Sequence, residues 1–426
     1  MSSEHSAQVV DRVYRQESGR ILAALIASLR DFTLAEDALQ DAVVAALRQW
    51  PATGVPRNPA AWLTTIARRK AIDRLRREGT LARKQETLHA LEQLATTDAL
   101  ADAEEGPPIP DERLKLLFTC CHPALPLEAR VALTLRTLGG LSTAEVAAAF
   151  LVPLPTMAQR LVRAQHKIRD AGIPYRVPPL PLLAERMEGV LAVLYLIFNE
   201  GYASTSGDAL IRQELCAEAI RLTRVLVALM ATEPETPDDP EVLGLLALML
   251  LHSSRQAARV DAAGDLVLLE DQDRTLWNWA EIVEGMDLLD TALRMRQPGP
   301  YQIQAAISAL HAEAPTPEET DWQQIAVLYA RLAHMTPSPV VELNQAVAVA
   351  MADGAEAGLQ LLDALRLDET LAHYHLYHAA RADLLRRAGR LEAAEAGYRE
   401  ALTLAQNRIE RRFLQRRLAE VSARLP

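Results

Sequence analysis

Several residue types are scarce in this chain, and each shortage excludes something. Aromatic residues make up 4% of the 426 positions, so the cores must be built from Leu, Ala and Val. Glycine, at 18 residues, falls below its usual share of about 7%. That profile argues against an all-β or collagen-like chain and for helices. Three cysteines (Cys120, Cys121 and Cys216) supply no disulfide framework, which fits a reducing compartment, so the expected location is cytoplasmic. No basic region followed by an apolar core opens the sequence, and no signal peptide is expected. The apolar runs near 190–198 and 242–251 are shorter than the ~20 residues of a membrane span, so no membrane partner is expected.

What is present is charge, unevenly spread. The formal net charge of −11, taken whole, argues against nucleic acid as a partner. Yet residues 1–177 carry 23 Lys and Arg against 20 Asp and Glu, while the remainder carries 22 against 36. All four lysines (Lys70, Lys84, Lys115 and Lys167) lie in the first part. Halves of opposite sign suggest different partners. At roughly 150 residues per domain, the length suggests two or three domains.

Apolar spacing of three and four (Val9, Val13, Leu22, Leu25, Ile26, Leu29) predicts a helix over 8–30. A second helix is expected from an N-cap at Thr33, with Glu36 three residues on, to Trp50. After a loop rich in Pro and Gly at 51–59, a third covers 60–78. Residues 92–112 hold seven acids, no base and the run GPPIP, which marks a linker. Four short helices follow at 112–123, 127–138, 142–150 and 155–170. The proline-rich stretch 175–182 is a second boundary. Beyond it the pattern is helix after helix, except for GDLVLLED (264–271), an extended strand or hairpin. Gly354 and Gly389 sit 35 residues apart in similar helical settings, close to the ~34-residue tetratricopeptide period.

Residues 57–84 carry nine bases and two acids. On a helix, Arg69, Asp73, Arg76 and Arg77 share roughly one face, while Trp62, Ile66 and Leu75 turn inward. Such a run is either a solvated face or an electrostatic footprint for phosphate. Its position on a helix, with a second basic helix following, favours phosphate. That second helix belongs to residues 141–170, which have the form of a helix-turn-helix. Ser142 or Thr143 caps its first helix, and Thr156 is expected to begin the second. Met157, Leu161 and Ile168 face inward, and Arg160, Arg163, Lys167 and Arg169 face outward. A recognition helix offers its N-terminal half to base edges, here Thr156, Ala158, Gln159, Arg160 and Arg163. Arg reads guanine and Gln reads adenine.

Together these segments resemble a bacterial RNA polymerase sigma factor of the extracytoplasmic-function type. TLAEDALQDAVVAALRQW (33–50) resembles the family's acidic helix that docks on core RNA polymerase. NPAAWLTTIARRKAIDRLRRE (58–78) is similar to its −10 reading and melting helix, and 141–170 to its −35 reader. The stretches YLIFNEGYASTSGD (195–208), LVLLEDQDRTLWN (266–278) and SPVVELNQAVAVAMADG (338–354), among others, resemble the long C-terminal extension of one subgroup.

The resemblance implies an all-α fold. Sigma region 2 spans 1–90, an acidic linker 91–111, and sigma region 4 spans 112–176. A helical extension covers 177–426, with tetratricopeptide-like repeats near 338–407. It implies contact with core RNA polymerase through Glu36, Asp37, Gln40 and Asp41. It places Asn58, Trp62, Thr65, Arg68, Arg69, Lys70, Asp73 and Arg74 on the −10 element, and Thr156, Gln159, Arg160 and Arg163 on the −35 element. The loop at 51–57 matches the one that holds a flipped base, with only Trp50 beside it. Pro155 stands where the family often has Gly, and proline suits a helix start. The partners implied are core polymerase, promoter DNA and a protein partner for the extension. Two rival readings are a helix-turn-helix regulator whose helical domain senses a ligand or protein, and a tetratricopeptide scaffold with an N-terminal adaptor. The acidic surplus of the tail also suggests that it shields the basic surfaces.

No nucleophile–base constellation or phosphate-cradling Gly loop occurs in the sequence, so no catalysis and no cofactor are expected. Cys120, Cys121 and His122 lack metal-ligand spacing and read as helix-end packing. His375 and His378, three apart beside His373, read as repeat histidines without a nearby carboxylate. The acids Glu270, Asp271 and Asp273 precede Trp277 and Trp279, and either bind a cation or Arg-rich partner or cap a helix at Asp273. Asn199, Glu200 and Tyr202 either line a pocket or form a buried network.

Overall fold

The computed structural model describes residues 3–77, 111–150, 152–203, 212–232, 239–365 and 369–425. Most of the expected acidic linker lies outside these residues. So do Arg83 and Lys84 of the basic run and 204–208 of the tail's first motif. Among the described residues the fold is all-α, with nineteen α-helices and no strand. It divides into two compact units, Met1–Leu194 and Tyr195–Pro426.

The first unit begins with α1 (Ser3–Leu29), α2 (Phe32–Thr53) and α3 (Pro59–Arg77), which pack on one another. Their shared core is aliphatic, with Ile21, Leu25, Leu39, Leu63 and Ala67 at most 1% exposed. The cap of α2 is Asp31 rather than Thr33. Arg30 adopts a left-handed φ of 55°, which reverses the chain early, and the Asp31 carboxylate accepts from the Leu34 amide at 3.0 Å. The helix runs past Trp50 through Pro51 and stops at Gly54, whose φ of 86° suits glycine.

Four more helices, α4 (Arg113–Cys120), α5 (Leu127–Thr137), α6 (Thr143–Ala149) and α7 (Leu154–Asp170), lie close to the expected spans. Ser142 and Glu145 form a reciprocal capping box. The Ser142 hydroxyl accepts from the Glu145 amide at 3.1 Å, and the Glu145 carboxylate accepts from the Ser142 amide at 2.7 Å. α7 starts at Leu154, two residues before the expected Thr156, because Pro155 fits its first turn. Cys120 and Cys121 are buried, with their thiols 3.4 and 3.6 Å from Thr137 and Thr134. Burial pushes the Cys121 thiol up to about 12.

Of these, α4 and α5 pack against α1. A Cβ on Gly19 would stand 2.6 Å from the Leu138 carbonyl, so glycine permits this approach. Tyr175 donates to the Ala23 carbonyl at 2.8 Å, and Arg30 lies over its ring. The long helix α8 (Leu180–Tyr202) crosses the division between the units. Within the first unit it buries Met187, Val190 and Leu191, and Arg186 donates to the Phe118 carbonyl.

In the second unit, α9 (Gln213–Thr232) precedes α10 (Pro240–Ser253), which is apolar all round and buried from Leu245 to Leu251. A helix of that pattern belongs at a centre. Around it pack α11 (Trp279–Arg294) and α12 (Pro300–Glu313). Glu241 accepts from the Tyr301 and Gln302 amides at 2.8 and 3.0 Å, an anion at the N-terminus of α12. Next come α13 (Trp322–Met335), α14 (Pro339–Asp353), α15 (Ala355–Leu365) and the short α16 (Glu369–Ala372). The last are α17 (His375–Arg387), α18 (Leu391–Leu404) and α19 (Arg408–Ser422). Gly354 and Gly389, at φ of 100° and 77°, turn the α14–α15 and α17–α18 pairs. GDLVLLED forms no strand. A single antiparallel bridge joins Val260 to Leu266.

Candidate functional site

The basic helix α3 is positioned by its apolar side, where Leu63, Ala67, Ala71 and Leu75 are buried against α1 and α2. Arg69, Asp73 and Arg76, spaced by four and three, are exposed on the other side. Thr65, Lys70 and Arg74 are half-buried, and Arg68 is 8% exposed, on the inward side. Asn58 is exposed and caps α3, its side-chain oxygen accepting from the Ala61 amide at 3.1 Å. Trp62 is half-buried and meets the buried Trp50 edge-on, with ring centroids 5.4 Å apart. Trp50 is thus packed under Trp62 instead of standing open beside the loop.

The expected docking residues on α2 divide into two pairs. Gln40 and Asp41 are exposed, with Val44 and Leu47 each 43% exposed beyond them. Asp37 is engaged by Arg74, carboxylate to guanidinium at 2.6 Å, so one residue of each expected surface meets the other. Glu36 points into the unit. Its Oε1 stands 3.7 Å from Arg136 Nε on α5, and its Oε2 accepts from the Gln165 side chain on α7 at 3.3 Å. Burial raises the carboxyl above its ordinary value, and Arg136 counters that shift. Arg136 also donates to the Leu141 carbonyl at 3.2 Å.

On α7 the inward side is Met157, Leu161, Ala164 and Ile168. Thr156, Gln159 and Arg163 are exposed on the other side. Arg160 is half-buried, its guanidinium 5.7 Å from the centre of the Phe150 ring. Fixed donors on a helix presented at a protein surface are suited to base edges and phosphates. Sequence reasoning missed Arg136 and Gln165 as partners of Glu36. The available signal was Arg136 itself, a lone arginine within the apolar run VALTLRTL.

Among the described residues no group of three or more His, Cys, Asp or Glu is arranged to hold a metal ion. His378 contacts the Ala372 carbonyl at 3.0 Å. His375 does have a carboxylate neighbour, contrary to the expectation, since Glu410 lies 3.1 Å away across the α17–α19 packing. Asp273 caps a 3-10 turn through the Thr275 amide at 2.9 Å. Tyr202 stacks on Phe198 and lies beneath Arg259, and Glu200 is 3.7 Å from Arg212, so this motif forms a packed polar network. No helix among the described residues is long and apolar enough to cross a membrane.

Residues 13–80 match the family model for Sigma-70 region 2, and residues 115–166 that for Sigma-70, region 4. Residues 186–293 match a family of unknown function, DUF6596. An uncharacterized protein of Rhizobium meliloti (strain 1021) is 44% identical over 404 residues, which is 94% of this chain and 93% of that protein. No solved structure matches the chain. Two sigma modules in order, followed by this tail, show that the chain belongs to the sigma-70 family as an extracytoplasmic-function-like sigma factor with a C-terminal extension.

Proposed function

We propose that the chain binds core RNA polymerase through α2 and directs promoter-specific initiation without catalysis of its own. In this reading Gln40 and Asp41 dock on the polymerase together with Asp37 and Glu36. The −10 element is engaged from α3 and its leading loop by Asn58, Trp62, Thr65, Arg68, Arg69, Lys70, Asp73 and Arg74. The −35 element is read by Thr156, Gln159, Arg160 and Arg163. The observation that carries the reading is α7, whose buried apolar side leaves Thr156, Gln159 and Arg163 exposed in the first half of a helix-turn-helix reader.

The Glu36–Arg136–Gln165 contact supports a further element. With Glu36 engaged by α5 and α7, the free chain holds region 4 on the docking helix. Full use of α2 by polymerase then requires this contact to open. The C-terminal extension, including its repeat-like helices at 338–407, regulates that activity.

In vitro transcription with purified core polymerase and mapped start sites tests the reading. Start sites preceded by a shared pair of elements are expected. A chain that binds DNA but neither associates with core polymerase nor initiates would be a helix-turn-helix regulator instead.

A further inference from the structure

The GDLVLLED segment folds back on the last helices of its own unit. Asp261 closes the turn by accepting from the Ala263 and Asp265 amides at 2.9 and 2.8 Å. The chain then runs extended to Leu268, whose φ and ψ are −65° and 154°, and turns through a 3-10 helix at Leu269–Asp271. Arginines from two helices clamp its ends. Asp265 meets Arg412 Nε at 2.9 Å and Arg416 Nη1 at 3.2 Å, both on α19. Glu270 meets Arg387 of α17 at 3.0 Å. Between the clamps, Leu266 and Leu268 are two positions apart and so fall on one side of an extended chain.

The groove under the segment is larger than its occupant. A cavity of about 340 Å³ opens on Leu266 and Leu268, walled by Leu343, Ala379, Phe413 and Leu414. A second, of about 470 Å³, starts at Leu268 and extends to Trp322 and Met351. The two share Leu268, Val347, Ala380 and Asp383, so the segment lies across adjoining cavities, the first mostly apolar and the second edged by charged residues such as Arg274, Glu318 and Arg387. No residue of 264–271 is buried. The clamping arginines are 32–51% exposed, and ion pairs in such settings hold weakly. The helices beneath have their own core, including Leu362, Leu385, Ala394 and Tyr398, which owes nothing to the segment.

We propose that this groove docks a short peptide of a partner protein in the form that GDLVLLED takes, extended and then turned once, with GDLVLLED as its built-in competitor. The peptide carries one acid, aliphatic residues at alternate positions, and a second acid about five residues after the first. Its acids would take Arg412 and Arg416 at one end and Arg387 at the other. Its aliphatic side chains would fill the volume that Leu266 and Leu268 leave open. The internal segment shows the spacing that the clamps accept: an extended run to Leu268 followed by one 3-10 turn that carries Glu270. A peptide suits the groove better than a small molecule because its charges stand at two separated ends. The proposal stands independently of polymerase and promoter binding.

The test titrates a labelled peptide of residues 262–272 into the full-length chain and into its D265A/E270A variant, followed by fluorescence anisotropy. With the internal competitor unclamped, the variant is expected to bind about tenfold more tightly than the parent. A peptide with both acids replaced by lysine is expected not to bind. Arg387→Glu with Arg412→Glu in the D265A/E270A background is expected to abolish binding. Should that combination unfold by circular dichroism, the single changes Arg387→Gln and Arg412→Gln are each expected to weaken it. Equal binding by parent and variant, no binding by the variant, equal binding of the charge-inverted peptide, or indifference to the arginine changes would each overturn the proposal.

Discussion

Glu36 on the acidic helix α2 and Arg136 on α5 meet at 3.7 Å with side chains only 16% and 9% exposed, tying region 2 to the helix-turn-helix module. Burial raises the Glu36 carboxyl, and Arg136 pulls it back. A raised folded-state value means that the Glu36 contribution to stability is fully present below the unfolded value and is lost as pH rises through the folded one. Removing Arg136 leaves the anion without its counter-charge and deepens that loss. Arg136→Met is expected to cost about 1–3 kcal/mol at neutral pH. The loss should shrink under acidic conditions, where Glu36 is protonated. Calorimetric melting of both chains across this range checks it; an equal loss at both ends would contradict the role of Glu36.

Asp37 and Arg74 link an expected docking residue to an expected promoter residue, at 2.6 Å but 37% and 42% exposed. An open pair of this kind couples by less than about 1 kcal/mol, so a double-mutant cycle in Tm should be nearly additive. The functional effects should separate. Asp37→Ala is expected to weaken core polymerase binding, and Arg74→Ala to spare it while reducing strand opening at the −10 element. Identical losses in both assays for both variants would mean that the pair acts only as a structural tie.

The legible features were those encoded over a few residues. Three-and-four apolar spacing marked α1 and α7, and of the two caps expected, Ser142 is the one that closes, reciprocally with Glu145. The errors came where a neighbour decided the outcome. Thr33 has the right residue type for an N-cap, but the backbone turn at Arg30 gives that position to Asp31. Trp50 reads as a residue beside a loop, and only the fold of α2 on α3 buries it beneath Trp62. Glu36 finds its partner 100 residues away, and GDLVLLED finds Arg387 and Arg412 on helices more than 110 residues later. No local periodicity carries such pairings, because they depend on tertiary packing.

Arg160, in the first half of α7, holds its guanidinium 5.7 Å from the centre of the Phe150 ring. Arg160→Ala is expected to weaken promoter binding by about 1–3 kcal/mol and to relax the preference at one −35 position. Lys167→Ala, on the exposed second half of α7, should weaken binding evenly across sequences. Binding to a −35 library distinguishes the two; an unchanged preference in Arg160→Ala would remove it from base reading.

In the α14–α15 pair, Gly358 permits a contact that no side chain fits. A Cβ there would come within 2.4 Å of the Ala350 Cβ and 2.6 Å of the Ala346 carbonyl. Alanine would add about 1 kcal/mol of helix propensity. Overpacking against backbone costs about 1–3 kcal/mol and should outweigh it. Gly358→Ala is therefore expected to lower the Tm of the full chain, and a rise would show that the pair adjusts freely.

The charge asymmetry yields the remaining expectation. Residues 178–426 hold 36 acids, no lysine and 22 arginines, while the sigma modules are slightly basic and expose Arg69, Arg76 and Arg163. An acidic tail that shields those bases competes with DNA phosphates, and such competition fades with salt as charges are screened. Truncation must spare Met187, Val190 and Leu191, which are buried in the first unit, so the cut belongs after Leu194. The truncated chain is expected to bind promoter DNA more tightly than the full chain at low ionic strength, about tenfold near 0.05 M salt, with the gap narrowing at higher salt. A gap that persists unchanged across the salt series would point to conformational coupling in place of electrostatic shielding. No gap at any salt would remove the tail from control of DNA binding and leave any regulation to its protein partner.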